Sequence, residues 1–315
     1  MTSRRKLEHD LIYADMAAVT ALLDQLDEED VMSRFSLEAR RDELRELIAG
    51  FADEPEEATA SAVLYFGGHP VSGTLGIESE FAGAAVSKFQ DLVAKVMAQE
   101  AGALGQRGVV PNKSASTLHI TNVARGSFGF VLEEVSPQGQ LVDTPLKAAV
   151  DEAVQLLDAF GEVDEAQFQA AVETIDQRVL GTAREFFDLL RQGGATLRLV
   201  AGMSDHSFSA DAVARAAERA TTTTVEDAEQ VLPGQLAGVL PEAHQFEFRI
   251  ADDERGMIRG KVDRAFTPDT LAQLNRDMVN VNAEARLLVK RVLRSGVLVR
   301  ESYVLVSLVP TEAEG

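Results

Sequence analysis

No cysteine occurs anywhere in the 315 residues. That single absence removes disulfides, thiol nucleophiles and every cysteine-ligated zinc or iron–sulfur centre, and leaves only oxygen and imidazole chemistry. Long apolar runs are also missing: nothing approaches the roughly 18 uninterrupted residues that a membrane-spanning helix needs. The N-terminal run Met1-Thr2-Ser3-Arg4-Arg5-Lys6-Leu7-Glu8-His9-Asp10 is charged where a signal peptide would be apolar. The expectation is a cytoplasmic protein with no membrane contact. Positive charge is scarce, 30 Lys and Arg against 51 Asp and Glu, a formal net charge of −21. Such a molecule repels phosphate backbones and anionic surfaces as a whole, and only a local patch acting within about one Debye length, roughly 8–10 Å, overrides that field.

What is present describes an ordinary folded protein. Apolar residues make up 45% and charged residues 26% of the chain, which excludes a fibre or a disordered tail as the main feature. The length exceeds the roughly 100–200 residues of one typical domain, so two packed units are expected. The charge is unevenly spread: Gln245 to Glu301 holds 11 Lys and Arg against 9 Asp and Glu, and the remainder 19 against 42. The C-terminal part is therefore the locally basic one.

The first fifty residues read as two amphipathic helices, one carrying Leu11, Leu22, Leu23 and Leu26, the other Leu37, Leu44, Leu47, Ile48 and Phe51, with Ser36 as the N-cap of the second. The acidic runs Asp27-Glu28-Glu29-Asp30 and Asp53-Glu54-Pro55-Glu56-Glu57 read as solvated linkers. From Ala60 the period shortens: Ser61 to Phe66 is a strand, broken by Gly67-Gly68-His69-Pro70, and a helix over 79–99 buries Phe81, Ala85, Phe89, Leu92, Val93 and Val96. Thr117 to Thr121 and Ser127 to Leu132 pair as strands about an Arg125-Gly126 turn. Thr144-Pro145 opens a helix that Gly161 stops. One long helix follows, with Phe168, Val172, Ile175, Val179, Ala183, Phe186 and Leu190 on one stripe, ended by Gly193-Gly194. A strand over 196–200 and a short helix over 209–219 complete this part.

Beyond Thr221-Thr222-Thr223-Thr224 the pattern is mostly β. Strands are expected at Val231 to Leu240, Phe246 to Ile250, Ile258 to Asp263, Asn280 to Leu293 and Tyr303 to Val309, with a helix opened by Thr267-Pro268 before the fourth. Five short strands with one helix resemble the pattern of a small SH3-like or OB-like β-barrel. The fold expected is α+β: a helical arm over 1–58, a mixed body over 59–220, a small barrel over 221–310 and a tail over 311–315.

Two motifs approach known chemistry and fall short at a nameable residue. Gly68-His69-Pro70-Val71-Ser72-Gly73-Thr74 has the spacing of a phosphate loop, but its lysine is missing, and a glycine-rich hairpin is the reading that remains. Gly202-Met203-Ser204-Asp205-His206 resembles a nucleophile elbow, but His206 stands where the closing glycine belongs, so a polar loop is expected. The five histidines, His9, His69, His119, His206 and His244, form no i,i+4 pair. No metal and no cofactor is expected, and no residue is assigned a catalytic role.

The remaining signal is a basic face. Alternation places Phe246, Phe248 and Ile250 inward with Arg249 outward, and Ile258 and Val262 inward with Arg259 and Lys261 outward. In the fourth strand Val281, Ala283, Ala285, Leu287 and Val289 point inward and Arg286 and Lys290 outward, with Arg264, Arg291, Arg294 and Arg300 at the rim. Arg249, Arg259, Lys261, Arg286 and Lys290 are thus the candidate binding residues. The competing reading is cross-strand pairing with Glu247, Asp263 and Glu284. No stacking aromatic accompanies the cations, which weakens a single-strand nucleic-acid site. The leading expectation is a non-catalytic interaction, regulatory or assembly protein that binds a protein partner or itself. A nucleic-acid-binding adaptor using the five cations and a metal-dependent hydrolase built from convergent carboxylates are the alternatives.

Overall fold

The computed structural model describes residues 12–13, 15–23, 26, 30–52, 58–102, 104, 108–124, 128–135, 142–251 and 256–311. The expected Arg125-Gly126 turn, most of the two acidic runs, Asp252-Asp253-Glu254 and the last four residues lie outside them, as does Leu11. The chain divides into two compact units, one of residues 1–165 and 181–220, the other of residues 166–180 and 221–315.

In the first unit residues 15–23 are helical and α1 spans Val31–Ala52. The N-cap of α1 is Asp30, not Ser36: its carboxylate accepts from the Ser33 amide at 3.1 Å, and hydrogen bonding first to the Ser33 side chain and then to that amide holds its pKa below the usual range. Arg40 reaches back to Asp15 at 2.7 Å, tying the two helical segments together. Leu44 is buried, whereas Leu22 and Leu47 of the expected stripes are exposed.

The body is an antiparallel five-stranded sheet in the order β4-β5-β1-β6-β7, made of β1 (Ser61–Gly68), β4 (His119–Ala124), β5 (Phe128–Glu133), β6 (Ala195–Ala201) and β7 (Ser204–Phe208). Between β1 and α2 (Ser79–Ala101) the chain forms the small hairpin β2 (Val71–Ser72) and β3 (Gly76–Ile77), so the loop without its lysine is a hairpin. The alternate residues of β1 divide between two faces: Phe66 meets Phe81 of α2 edge-on at 5.4 Å, while Val63 and Tyr65 join Val131 and Val200 in a smaller cluster on the other face. Thr144 caps α3 (Pro145–Gly161) by accepting from the Lys147 amide, the geometry a Thr-Pro start implies.

The predicted long helix is two helices. The seven stripe residues are all buried, but α4 (Glu165–Thr174) stops and α5 (Gln177–Gln192) restarts because the Asp176 carboxylate accepts from the Arg178 amide at 2.7 Å, a new N-cap. The boundary between the units falls inside α5, so Phe168, Val172, Ile175 and Val179 belong to the second unit and Ala183, Phe186 and Leu190 to the first.

The carboxyl end of α3 is closed from α6 (Ala210–Thr222). Arg215 donates twice to Gly161 O, at 2.9 and 2.7 Å, and the buried Arg219 donates to Ala159 O, Phe160 O, Glu162 O and Val163 O and to the Glu165 carboxylate. Two guanidinium groups thus occupy the negative end of the helix dipole and satisfy carbonyls that a helix terminus leaves without partners.

The second unit is a closed ring of five strands in the order β10-β12-β11-β8-β9: β8 (Thr223–Leu240), β9 (Gln245–Ile250), β10 (Met257–Val262), β11 (Asn282–Arg294) and β12 (Val297–Pro310). Helix α7 (Pro268–Asp277), capped by Thr267, separates β10 from β11. The parallel pair Lys261–Val304 and Val262–Leu305 closes the ring. Glycine permits that closure: a Cβ on Gly260 would lie 2.2 Å from Tyr303 O, and one on Gly234 would lie 2.1 Å from Arg249 O. Phe246, Phe248, Leu271, Leu287, Tyr303 and Leu305 fill the interior. Val281, expected inside, precedes β11 and is exposed.

Strands β8 and β12 start well before the expected Val231 and Tyr303. They follow β11 past the ring as a three-stranded ribbon, with Arg294 opposite Thr223 on one side and Val297 on the other. The acidic Glu226, Asp227 and Glu229 disguise this part of β8 as a non-strand segment; their partners across the ladder are Arg291, Lys290 and Leu288.

Two substitutions test this account. Arg219→Met should lower the urea midpoint of the first unit by the equivalent of about 3 kcal/mol, because it strands several buried carbonyls, while exposed Arg198→Ala should change it by about 1 kcal/mol or less. Gly260→Ala should destabilise the second unit by more than about 2 kcal/mol, since backbone rather than a side-chain tip blocks the added methyl; circular dichroism melts would show no loss if the closure tolerated a Cβ.

Candidate functional site

The five candidate cations all sit on strands of the ring, but the strand order separates them. Arg249 on β9 and Arg259 and Lys261 on β10 share neighbouring strands, whereas β12 intervenes between β10 and the Arg286 and Lys290 of β11. Arg259 pairs with Glu247 directly across the ladder at 2.7 Å, and Arg286 with Glu229 of β8 at 3.0 Å. Lys290 is half-buried and donates to Ile175 O at 3.0 Å, beside Asp227. Among the described residues Arg249 and Lys261 have no carboxylate partner.

Segment 166–180 lies against the ribbon. Beyond the Lys290 contact, the Gln177 side-chain oxygen accepts from the Val225 amide on the outer edge of β8 at 2.8 Å, and Glu173 pairs with Arg300 of β12 at 2.7 Å. Val225 and Val292, opposite one another in the ladder, are buried. On the opposite face Arg291 pairs with Glu301 at 2.7 Å, and the Tyr303 hydroxyl donates to the same carboxylate.

Among the described residues nothing pairs with the far edge of the ribbon. Val297, Leu298 and Arg300 pair with β11, a bulge leaves Val299 out of that ladder, and β10 first meets β12 at Val304. Val297, Leu298 and Val299 are 68%, 51% and 43% exposed. The turn beneath them, Ser295-Gly296, has φ of 49° and 78°, the two successive positive values of a tight type I′ hairpin. Sequence reasoning missed this edge because the strand was expected to begin at Tyr303; the signal available was the Ser-Gly pair between two apolar runs.

The second cluster lies in the first unit. His206, expected in a polar loop, is on β7, the strand that returns after a Gly202-Met203 turn, so the stretch is a hairpin and not an elbow. Its Nδ1–H donates to Asp158 of α3 at 2.7 Å, while Nε2 is buried and has no hydrogen-bond partner among the described residues. Aspartate orienting histidine is two thirds of a hydrolytic triad, and the nucleophile that must contact Nε2 is the missing part. Ser209, nearby in sequence, has its hydroxyl committed to the Ala212 amide at the start of α6. Among the described residues no group of three or more His, Asp or Glu is placed to hold a metal ion. No helix among them is long and apolar enough to cross a membrane.

No protein-family profile matches the chain, and no curated protein or solved structure matches it. The site therefore has to be read from its own chemistry.

Burial raises the pKa of the Asp158 carboxyl above its ordinary value, His206 opposing that shift and Glu162 adding to it. A folded pKa above the unfolded one means the fold prefers the protonated acid. The associated stability is complete below the unfolded value of about 3.9 and is lost as pH rises through the folded value. Asp158→Asn keeps an acceptor for His206 and removes the charge. It should therefore be as stable as the parent at pH 7, within about 1 kcal/mol, and show a flatter stability profile from about pH 4 upward in urea titrations; a steep loss of stability at pH 7 would mean the ionised pair is needed.

Proposed function

We propose that this chain is a non-catalytic interaction or assembly protein whose docking surface is the hairpin of β11 and β12 where it leaves the ring. One observation carries the reading: three consecutive apolar residues, Val297, Leu298 and Val299, stand exposed on a strand whose outer edge pairs with nothing among the described residues. Proteins usually blunt such edges with charge, proline or a covering segment, because unpaired amides and carbonyls recruit other chains. This molecule covers the β8 edge with Gln177 and leaves the β12 edge apolar.

Strand order also supports reading the ring as a small OB-type barrel in preference to the SH3-like alternative. The helix falls between the third and fourth strands, and the third and fifth are parallel neighbours. That architecture hosts many functions and assigns none by itself. The nucleic-acid reading keeps one supporting observation, the two cations Arg249 and Lys261, which have no carboxylate partner among the described residues. Against it stand Arg259 and Arg286, already paired, and Phe246 and Phe248, which are buried inside and offer no stacking surface. The metal-dependent hydrolase built from convergent carboxylates draws no support from the described residues, among which no group of three or more His, Asp or Glu is placed to hold a metal ion.

A photo-reactive amino acid placed at Leu298, in the cell from which the protein comes, should yield a discrete cross-linked protein adduct. The same probe at Leu75, on the first unit and more exposed than Leu298, should not, and Val297→Ser with Val299→Ser should abolish the adduct. No adduct above the Leu75 control would sink the docking surface. Labelled single strands and duplexes at low salt provide the counter-test: binding that falls steeply with salt and disappears on replacing Arg249 and Lys261 would favour the adaptor instead.

A further inference from the structure

We infer that Glu173 to Gln177 form a strap whose seating across the ribbon keeps the hairpin of β11 and β12 ordered, and so regulates the docking surface proposed above. That regulation rests on the docking reading; the strap itself does not.

Three alternate residues of the chain reach three neighbouring strands in turn. The Glu173 carboxylate pairs with Arg300 of β12 at 2.7 Å, the Ile175 carbonyl accepts from Lys290 of β11 at 3.0 Å, and the Gln177 side chain accepts from the Val225 amide of β8 at 2.8 Å. Val225, Val292 and Arg300 form one row of the ladder, and Lys290 lies two residues from Val292 on the same face. The segment thus crosses the ribbon and holds every strand of it. The break between α4 and α5 makes this possible. In a continuous helix the Ile175 carbonyl would accept from the amide four residues on, whereas the helix that Asp176 restarts at Gln177 leaves it for Lys290.

The ribbon depends on such a cover. Beyond Val304 no other strand among the described residues joins β8, β11 and β12, and so small a sheet persists in water only when an apolar face has something packed on it. Val225 and Val292 are buried in the row that the strap crosses, and Val172, Ile175 and Val179 of the crossing segment are buried too. Lifting the strap returns these valines to water and breaks all three polar contacts. The core of the ring, with Phe246, Phe248 and Leu305, loses nothing by it. The strap therefore has two states with different consequences: seated, the hairpin is formed; lifted, the ribbon frays while the ring persists. Gln177 is also the first residue of α5, whose later residues belong to the first unit, so the strap is a covalent link through which that unit acts on the hairpin.

Hydrogen exchange on the full chain tests the strap. Glu173→Lys, which turns the ion pair into a repulsion, should speed amide exchange at residues 224–228 and 291–300 about tenfold and leave β9 and β10 within about twofold of the parent. Adding Arg300→Glu remakes the pair in reverse and should restore the parent's protection. Because the chain has no cysteine of its own, Glu173→Cys with Arg300→Cys can be bridged by a short bismaleimide, and the bridged protein should exchange more slowly there than the same protein unbridged. Exchange in the hairpin that ignores both the reversal and the bridge, or an equal loss of protection in the ring, would overturn the inference. The Leu298 photo-cross-link should weaken with Glu173→Lys and return with the double reversal; an adduct indifferent to both removes the regulation. An exchange response without any Leu298 adduct in the parent removes the docking surface and leaves the strap, whereas unchanged exchange with the adduct present removes the strap and leaves the docking surface.

Discussion

The unbroken pairing of β11 with β8, from Asn282 opposite Gln235 to Arg294 opposite Thr223, is the constraint on which the second unit depends. The same two strands serve first as a wall of the ring and then as the core of the ribbon. Inside the ring their inward residues Ala285, Leu287 and Val289 complete a core that includes Phe246 and Phe248. Past the ring no opposing sheet remains, and burial on one face comes from segment 166–180. A ladder longer than the barrel it closes necessarily produces free edges, and each must be covered or left for another chain. Among the described residues one is covered and one is open.

That constraint also explains the arrangement of the cations. A basic face on contiguous strands would be a continuous electrostatic surface, but β12, which carries mostly apolar residues, lies between β10 and β11. On either side of it the ladder places a carboxylate opposite or near most of the basic residues: Glu247 for Arg259, Glu229 for Arg286, Glu301 for Arg291. Exposed pairs of this kind add little stability, typically 1 kcal/mol or less, but they cancel the local field that would attract a polyanion. Of the five candidate cations, Arg249 and Lys261, on β9 and β10 of the ring, have no carboxylate partner among the described residues, whereas Arg291 and Arg300 beside the hairpin pair with Glu301 and Glu173.

In the first unit the cations do different work. Arg215 and Arg219 close the end of α3, and the adjacent Asp158 engages His206 one layer below. The dyad links β7, the edge strand of the sheet, to the helix above it, as Arg219 links α6 to the same helix. Both are long-range polar ties at one helix terminus, where carbonyls without partners would otherwise be buried.

Local rules were enough for much of the fold. Thr144-Pro145 and Thr267-Pro268 opened helices because a cap and a restricted φ act within one turn, and the period of two in Phe246, Phe248 and Ile250 assigned the ring's inward face. The stripe from Phe168 to Leu190 correctly announced burial, but periodicity does not say against what: Asp176 split it into two helices, and the division between the units falls later, inside α5. The candidate site was less legible. The cations were visible as outward positions, but their neutralisation depends on which strands become neighbours and in which register, and that is settled by long-range pairing. The acidic start of β8 and the open edge of β12 are strand only because β11 lies between them. By itself the sequence determined which residues face inward and where turns and caps fall, because those are contests among near neighbours. Only the tertiary structure decided which charges cancel and which edge stays open, because both depend on residues that meet across long stretches of chain.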